Sequence, residues 1–110
     1  MSSSILINFR HFENKLIEKS TRDAVLVLFY SDWCMECLRV APVWRRLVEA
    51  LQPRGVTLNT VHAGHEPLLV RQLGVPSLPS LVLLIDRQAY IYKETTLSVQ
   101  KVVGMFNLFL

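Results

Sequence analysis

Apolar residues along the chain fall into short blocks and helical stripes whose order predicts alternating strands and helices. Residues 24–30 form a continuous apolar run rich in β-branched and aromatic side chains, which is typical of a strand buried on both faces. Strand-like blocks cover residues 5–9, 24–30, 56–61, 81–85 and 89–92, and helical periodicity covers residues 9–20, 34–51, 67–73 and 97–110. This β-α-β-α-β-α-β-β-α order predicts an α/β domain with a central mixed sheet flanked by helices on both faces.

The helix predicted over residues 34–51 carries an apolar stripe that we expect to face the core. The stripe consists of Cys37, Val40, Ala41, Trp44, Leu47, Val48 and Leu51. Pro42 stands inside the helix and is expected to kink it, because its ring clashes with the carbonyl group of Leu38. Pro53 and Gly55 are expected to end it.

Composition narrows the class of protein. A length of 110 residues, with 51% hydrophobic and 19% charged residues, indicates one domain over residues 1–110 and excludes intrinsic disorder. The net charge of +3 arises from basic residues scattered among acidic ones, so nucleic-acid binding is not expected. The longest apolar run, residues 24–30, is far shorter than the ~20 residues of a membrane span, so we expect no membrane contact by the domain itself.

The two ends of the chain are typical of a domain taken from a longer protein. The chain starts with Met-Ser-Ser-Ser, which lacks the features of a secretory signal, and stops on the apolar residues 106–110. We therefore expect residues 1–4 to be foreign to the natural domain. We also expect a longer parent protein, which is compatible with a membrane anchor elsewhere in that parent.

Two cysteines, Cys34 and Cys37, carry the candidate chemistry. They stand three residues apart at the start of the predicted helix, so they share a face with Cβ atoms about 5–6 Å apart and can bond after a modest adjustment. Backbone N–H groups and the helix dipole favour a thiolate at a helix N-terminus. This asymmetry predicts that Cys34 attacks, and that the more buried Cys37 resolves the mixed disulfide.

Other interpretations of the pair stay open. Both cysteines fit as small core residues or as a static clip, although a four-residue loop gains little stability from closure. A zinc site would need two more ligands, for which His62 and His65 are the candidate pair, and 24 residues separate Cys37 from His62. We expect no metal and no organic cofactor. The histidines, including His11, show no constellation with a serine or carboxylate that would indicate a hydrolase.

Two segments resemble the thioredoxin superfamily. Residues 25–37 combine a buried strand with a Trp-Cys-x-x-Cys motif, followed by Ala41-Pro42, and residues 73–83 contain a Val-x-x-Leu-Pro-Ser motif before an apolar strand. The resemblance implies a thioredoxin-like fold with a cis-proline beside the dithiol and a groove for extended client peptide. The residues expected to bind the client are Trp33, Val75, Leu78 and Pro79, the last as the cis-proline.

Two positions depart from the family pattern. Active members carry an acidic residue six positions before the first cysteine, where it assists proton transfer at the second; this chain has Leu28 there. A positioned general base contributes ~100- to 10,000-fold, so we expect slow release of the mixed disulfide. Between the cysteines, Met35-Glu36 replaces the common Gly-Pro or Gly-His. Glu36 and Asp32 add negative charge near Cys34, so we expect the pKa of that thiol to be only moderately lowered.

Two functional hypotheses follow. The first is thiol-disulfide exchange on cysteine-containing client proteins through Cys34-Met35-Glu36-Cys37, slow or atypical, by a protein-disulfide oxidoreductase with impaired proton transfer. The second is a non-catalytic module of a chaperone or co-chaperone that holds extended peptide in the same groove. The chain is similar to disulfide-isomerase-type domains and to thioredoxin-like domains of J-domain co-chaperones. That similarity implies the endoplasmic reticulum, with the cytoplasm as the alternative.

Overall fold

The computed structural model describes residues 6–8, 14–92 and 97–109. Within these ranges the strands are β1 (Leu6–Asn8), β2 (Val25–Tyr30), β3 (Thr57–His62), β4 (Ser80–Ile85) and β5 (Gln88–Ile91). The helices are α1 (Lys15–Lys19), α2 (Met35–Leu51), α3 (Pro67–Leu73) and α4 (Val99–Phe109), with one-turn 3₁₀ helices at Gln52–Arg54 and Ala63–His65. No helix in the described ranges has both the length and the apolar character that crossing a bilayer requires.

The strands form one mixed sheet in the order β1-β5-β4-β2-β3. β2 pairs with β3 in parallel, whereas the β2–β4, β4–β5 and β1–β5 pairs are antiparallel. The parallel pair requires a crossover connection, which α2 supplies. The predicted mixed sheet and the predicted order of strands and helices are therefore confirmed.

Strand β2 lies inside the sheet, and its side chains alternate between two cores. Val25, Val27 and Phe29 pack on the face that holds the buried side chains of α1 and α3. Leu26 and Leu28 pack on the opposite face with those of α2 and α4. Since both faces of the strand are covered, every position from Val25 to Phe29 is apolar and buried. Helices thus flank both faces of the sheet, as predicted.

The buried stripe of α2 is narrower than predicted. Val40, Leu47 and Leu51 are buried against the sheet, whereas Ala41 is exposed, and Cys37, Trp44 and Val48 are half-buried. Helical periodicity explains the difference, because Cys37, Ala41 and Val48 lie on a strip beside the core-facing one. α2 continues through Pro42 as one helix from Met35 to Leu51.

Some element boundaries differ from the prediction. The described part of the first helix is only Lys15–Lys19; residues 9–13 of the predicted helix lie outside the described residues. It begins where the Asn14 side chain accepts a hydrogen bond from the Leu16 N–H at 2.8 Å. The β4–β5 turn contains two residues rather than the three expected, Asp86 and Arg87, with φ values of 50° and 62°. Positive φ at both positions matches the right-handed twist of a tight hairpin.

Candidate functional site

The two cysteines form a disulfide at the N-terminus of α2, with their Cα atoms 5.2 Å apart. Cys34 is the N-cap residue, in an extended conformation, and α2 begins at the next residue. The Cys37 N–H donates to the Cys34 Sγ atom at 3.1 Å. The sulfur of Cys34 therefore occupies the place of a capping side chain, where backbone N–H groups and the helix dipole stabilise negative charge.

The two cysteines are similarly buried, but they lie in different surroundings. Both cysteines are half-buried, so the expected greater burial of Cys37 does not separate them. Cys37 lines a cleft of about 530 Å³, which we call the Cys37 cleft. Its floor is the carboxyl end of β2 and β3, including Leu28, Tyr30 and Thr60. Its wall is the outer strip of α2: Leu38, Ala41, Trp44, Arg45 and Val48.

Leu28 is the residue that stands six positions before Cys34. Its side chain is only 6% exposed and packs in the core beneath α2 and α4. It lines the Cys37 cleft and also a second cleft on the other side of the α2 N-terminus. The site therefore has an apolar, shielded side chain here, and this position offers no proton acceptor to Cys37.

The second cleft, of about 500 Å³, brings together part of the expected client groove, and we call it the Pro79 cleft. Leu78 and Pro79 line it, joined by a cis peptide bond, and Glu36 lines it from α2. Val75 is half-buried and packs with Leu78 against the core beside α3. Trp33 is 95% exposed and lines neither cleft. Of the four expected groove residues, the structure brings two into one cleft.

Both carboxylates expected near Cys34 have partners. Glu36 Oε1 lies 2.9 Å from Arg39 Nη1, and both side chains are mostly exposed. Asp32 Oδ2 lies 3.0 Å from His62 Nε2. The sequence did not predict that Asp32 and His62 would pair, since they stand 30 positions apart.

His62 reaches Asp32 because of the strand pairing. The parallel register of β2 and β3 sets His62 beside Tyr30, the last residue of β2, and Asp32 follows in the loop that leads to Cys34. His62 was considered in the sequence only as a zinc ligand. That it lies beside Tyr30, close to Asp32, could be known only from the register of the two strands. The signal in the sequence was that both strands end just before a polar segment.

The structure does not assemble His62 and His65 with the cysteines as metal ligands. The two imidazole rings stack, with centroids 4.2 Å apart and planes at 24°. In the part of the chain that the structure describes, no group of three or more His, Cys, Asp or Glu side chains is placed to hold a metal ion.

Sequence comparisons identify relatives of this chain. The family model for thioredoxin matches residues 3–104. DnaJ homolog subfamily C member 16 of Homo sapiens is 36% identical over 81 residues, which cover 74% of this chain and 10% of that protein. Protein disulfide isomerase-like 2-1 of Oryza sativa subsp. japonica is 31% identical over 81 residues, covering 73% and 22%. The chain thus spans about a tenth of the length of its DnaJ-type relatives.

Solved structures share the fold. The first thioredoxin domain of mouse protein disulfide-isomerase A4 superposes with a TM-score of 0.72 at 23% identity, covering 90% of this chain and 69% of that one. The J-Trx1 fragment of ERdj5 gives a TM-score of 0.74 at 24% identity, covering 89% and 49%. At these identities, the two superpositions are evidence about the fold alone.

Proposed function

The chain belongs to the thioredoxin family, and we propose that it carries out thiol-disulfide exchange on cysteine-containing client proteins. The observation that carries the proposal is the position of Cys34. Its sulfur caps α2 and accepts the Cys37 N–H at 3.1 Å. A thiolate at a helix N-terminus is stabilised and nucleophilic, and Cys37 is within bonding reach.

The reaction proceeds in two balanced exchanges. The Cys34 thiolate attacks one sulfur of a client disulfide, a mixed disulfide forms, and the other client sulfur leaves as a thiolate. The Cys37 thiol then loses its proton and attacks Cys34 Sγ, which closes the Cys34–Cys37 disulfide and expels the second client thiolate. Two electrons pass from the dithiol to the client, and the reverse sequence oxidises a client dithiol.

In the proposed reaction, release of the client is the slow step. Leu28 offers no carboxylate, so the Cys37 proton has to leave through the Cys37 cleft to solvent. Loss of a positioned base costs ~100-fold or more in such a step. The enzyme we propose is therefore a slow protein-disulfide oxidoreductase.

The Pro79 cleft is the proposed site for extended client peptide. Leu78 and Pro79 form one side, and the backbone before Pro79 pairs with the peptide. Trp33, almost wholly exposed beside the disulfide, contacts the client from the loop. Val75 packs against the core and anchors the segment that carries Leu78.

A second candidate is a non-catalytic module that holds client peptide within a chaperone or co-chaperone. The apolar Leu28 favours it. So does the exposed apolar surface around the disulfide, where Trp33, Met35 and Leu38 are 95%, 72% and 72% exposed. In either case we propose a parent protein of the J-domain co-chaperone type in the endoplasmic reticulum, an oxidising compartment in which the disulfide persists. The cytoplasm is the alternative.

A trapping experiment separates the two candidates. Cys37→Ala leaves Cys34 free to form mixed disulfides that cannot resolve, and the matched control replaces both cysteines with alanine. In oxidising cells, we expect client adducts that depend on Cys34 and disappear on reduction. The absence of adducts, together with no insulin reduction by the wild type, contradicts the oxidoreductase. If peptide binding then persists and Trp33→Ala weakens it, the binding module is correct.

A further inference from the structure

His62 is held from several sides. Its Nδ1 atom accepts the Gly64 N–H at 3.1 Å. The His65 ring stacks on one face at 4.2 Å, and the Tyr30 ring meets it edge-on at 5.2 Å. The side chain is 17% exposed. A Cβ atom on Gly64 would lie 3.1 Å from the imidazole, so glycine permits this close backbone approach.

These contacts determine which nitrogen of His62 carries the proton. Since Nδ1 accepts a backbone N–H, it has no hydrogen, and the ring is the neutral tautomer protonated at Nε2. Nε2–H is then free to donate to Asp32 Oδ2 at 3.0 Å. The Asp32 carboxylate thereby gains a fixed orientation.

Asp32 needs such support, because its own side chain is 75% exposed. An exposed carboxylate without such a partner samples many positions, and water and salt screen its charge. Held by His62, the Asp32 carboxylate remains exposed to solvent but keeps one position at the Cys37 cleft, two residues before Cys34. The charge of Asp32 then acts on the two sulfur atoms from a fixed position.

We propose that His62 is a positioning residue that holds Asp32 as a fixed anion beside the dithiol and thereby restrains the Cys34 thiolate. This deepens the proposed function, since it concerns regulation of the same site. A fixed negative charge disfavours a second negative charge on Cys34 and opposes the helix N-terminus. The reduced protein is therefore a milder nucleophile than its capping position alone dictates.

Other charged groups around the site do not replace this pair. Glu36 pairs with Arg39 at 2.9 Å, and both side chains are mostly exposed. Arg45 also lines the Cys37 cleft, and no ion pair joins it to Asp32 among the described residues; His65 stacks on His62. Tyr30 meets the imidazole through its ring. Among the described contacts, the Asp32 carboxylate is therefore oriented by His62.

The test measures iodoacetamide alkylation of Cys34 against pH, in a Cys37→Ala background where Cys34 is the single thiol. We expect Asp32→Asn to raise the rate at pH 7 by up to about threefold, the limit set by removing a unit charge at an assumed separation of ~6 Å in a water-like dielectric. His62→Leu and His62→Asn should move the profile the same way, by up to that amount. His62→Gln places an amide N–H donor near the position of Nε2, which the shorter asparagine side chain does not reach, and should restore the original profile.

The double variant Asp32→Asn/His62→Leu should match Asp32→Asn alone, because His62 acts through Asp32. The inference is overturned if His62→Leu and His62→Asn overlay the background while Asp32→Asn shifts it, if Asp32→Asn causes no shift, or if the effects add. Thermal unfolding of each variant checks the fold, and His62→Asn serves if the leucine variant does not fold. Alkylation needs no client, so a failure of client exchange with these shifts intact refutes the proposed function alone.

Discussion

Restoring a carboxylate at Leu28 should accelerate release of the client. Leu28→Asp puts a proton acceptor in a position that lines the Cys37 cleft, and Leu28→Asn is the matched control of equal size that cannot titrate. We expect mixed-disulfide resolution about 100-fold faster in the aspartate variant than in the asparagine variant. The comparison cancels the packing loss that both substitutions share.

The cost in stability follows from burial. Leu28 is 6% exposed in the core beneath α2 and α4. Truncating it and burying a polar group there should lower the free energy of unfolding by about 3–5 kcal/mol in both variants. A domain of this size has about 5–15 kcal/mol in total, so both variants remain folded at 25 °C when the stability of the parent lies above the lower end of that range.

The pH dependence of stability distinguishes the two variants. Burial should raise the pKa of the new carboxyl above its unfolded value of about 3.9. Because the folded-state pKa is the higher one, the free energy of unfolding of the aspartate variant is at its maximum below about pH 4, where the carboxyl is protonated in both states. It decreases as pH rises through the folded-state value. The aspartate variant should therefore become less stable than the asparagine variant as pH rises.

The assay is a stopped-flow measurement of thiol release from a preformed mixed disulfide between Cys34 and a fluorescent peptide. Urea unfolding from pH 3 to pH 8 gives the stabilities of both variants. Equal release rates from folded aspartate and asparagine variants would refute the reasoning that the missing carboxylate limits turnover. An unchanged stability difference across that pH range would refute the burial of the new group.

Two further predictions concern stability alone. Gly74 ends α3 with φ = +65°, so Gly74→Ala should destabilise the protein by about 1 kcal/mol, whereas Gly104→Ala, in helical α4 with open space around it, should stabilise it by up to about 1 kcal/mol. Urea unfolding measures both, and effects of equal sign would contradict the backbone argument. Reduction of the Cys34–Cys37 disulfide should lower the free energy of unfolding by about 2 kcal/mol at most, since the loop that it closes has four residues. Calorimetry measures this loss, and a larger one would indicate a structural clip.

Local signals in the sequence account for much of the fold. The apolar run ending at Tyr30 predicted an interior strand, and β2 is one. The Pro67–Leu73 helix has the predicted bounds, because proline begins it and Gly74 ends it with a positive φ. The position of Cys34 at the start of α2 was also predictable from spacing, and the structure makes it the N-cap.

The candidate site was predicted less completely, because its parts meet through contacts between distant residues. Leu78 and Pro79, which the motif resemblance assigned to the client groove, line one cleft together with Glu36. Val75 packs against the core, and Trp33 lines neither cleft. On α2, one periodic stripe became two strips with different roles. Periodicity shows which residues share a side of a helix, but not where the neighbouring sheet ends.

What the sequence alone determined were the features decided within a few residues of each other: the strands and helices, their order, the capping sulfur and the absence of an acid at Leu28. The tertiary structure decided the rest. Asp32 and His62 are 30 residues apart and meet only because β2 and β3 pair in a particular parallel register. That register depends on how both faces of the sheet bury their side chains against four helices, which no local pattern encodes.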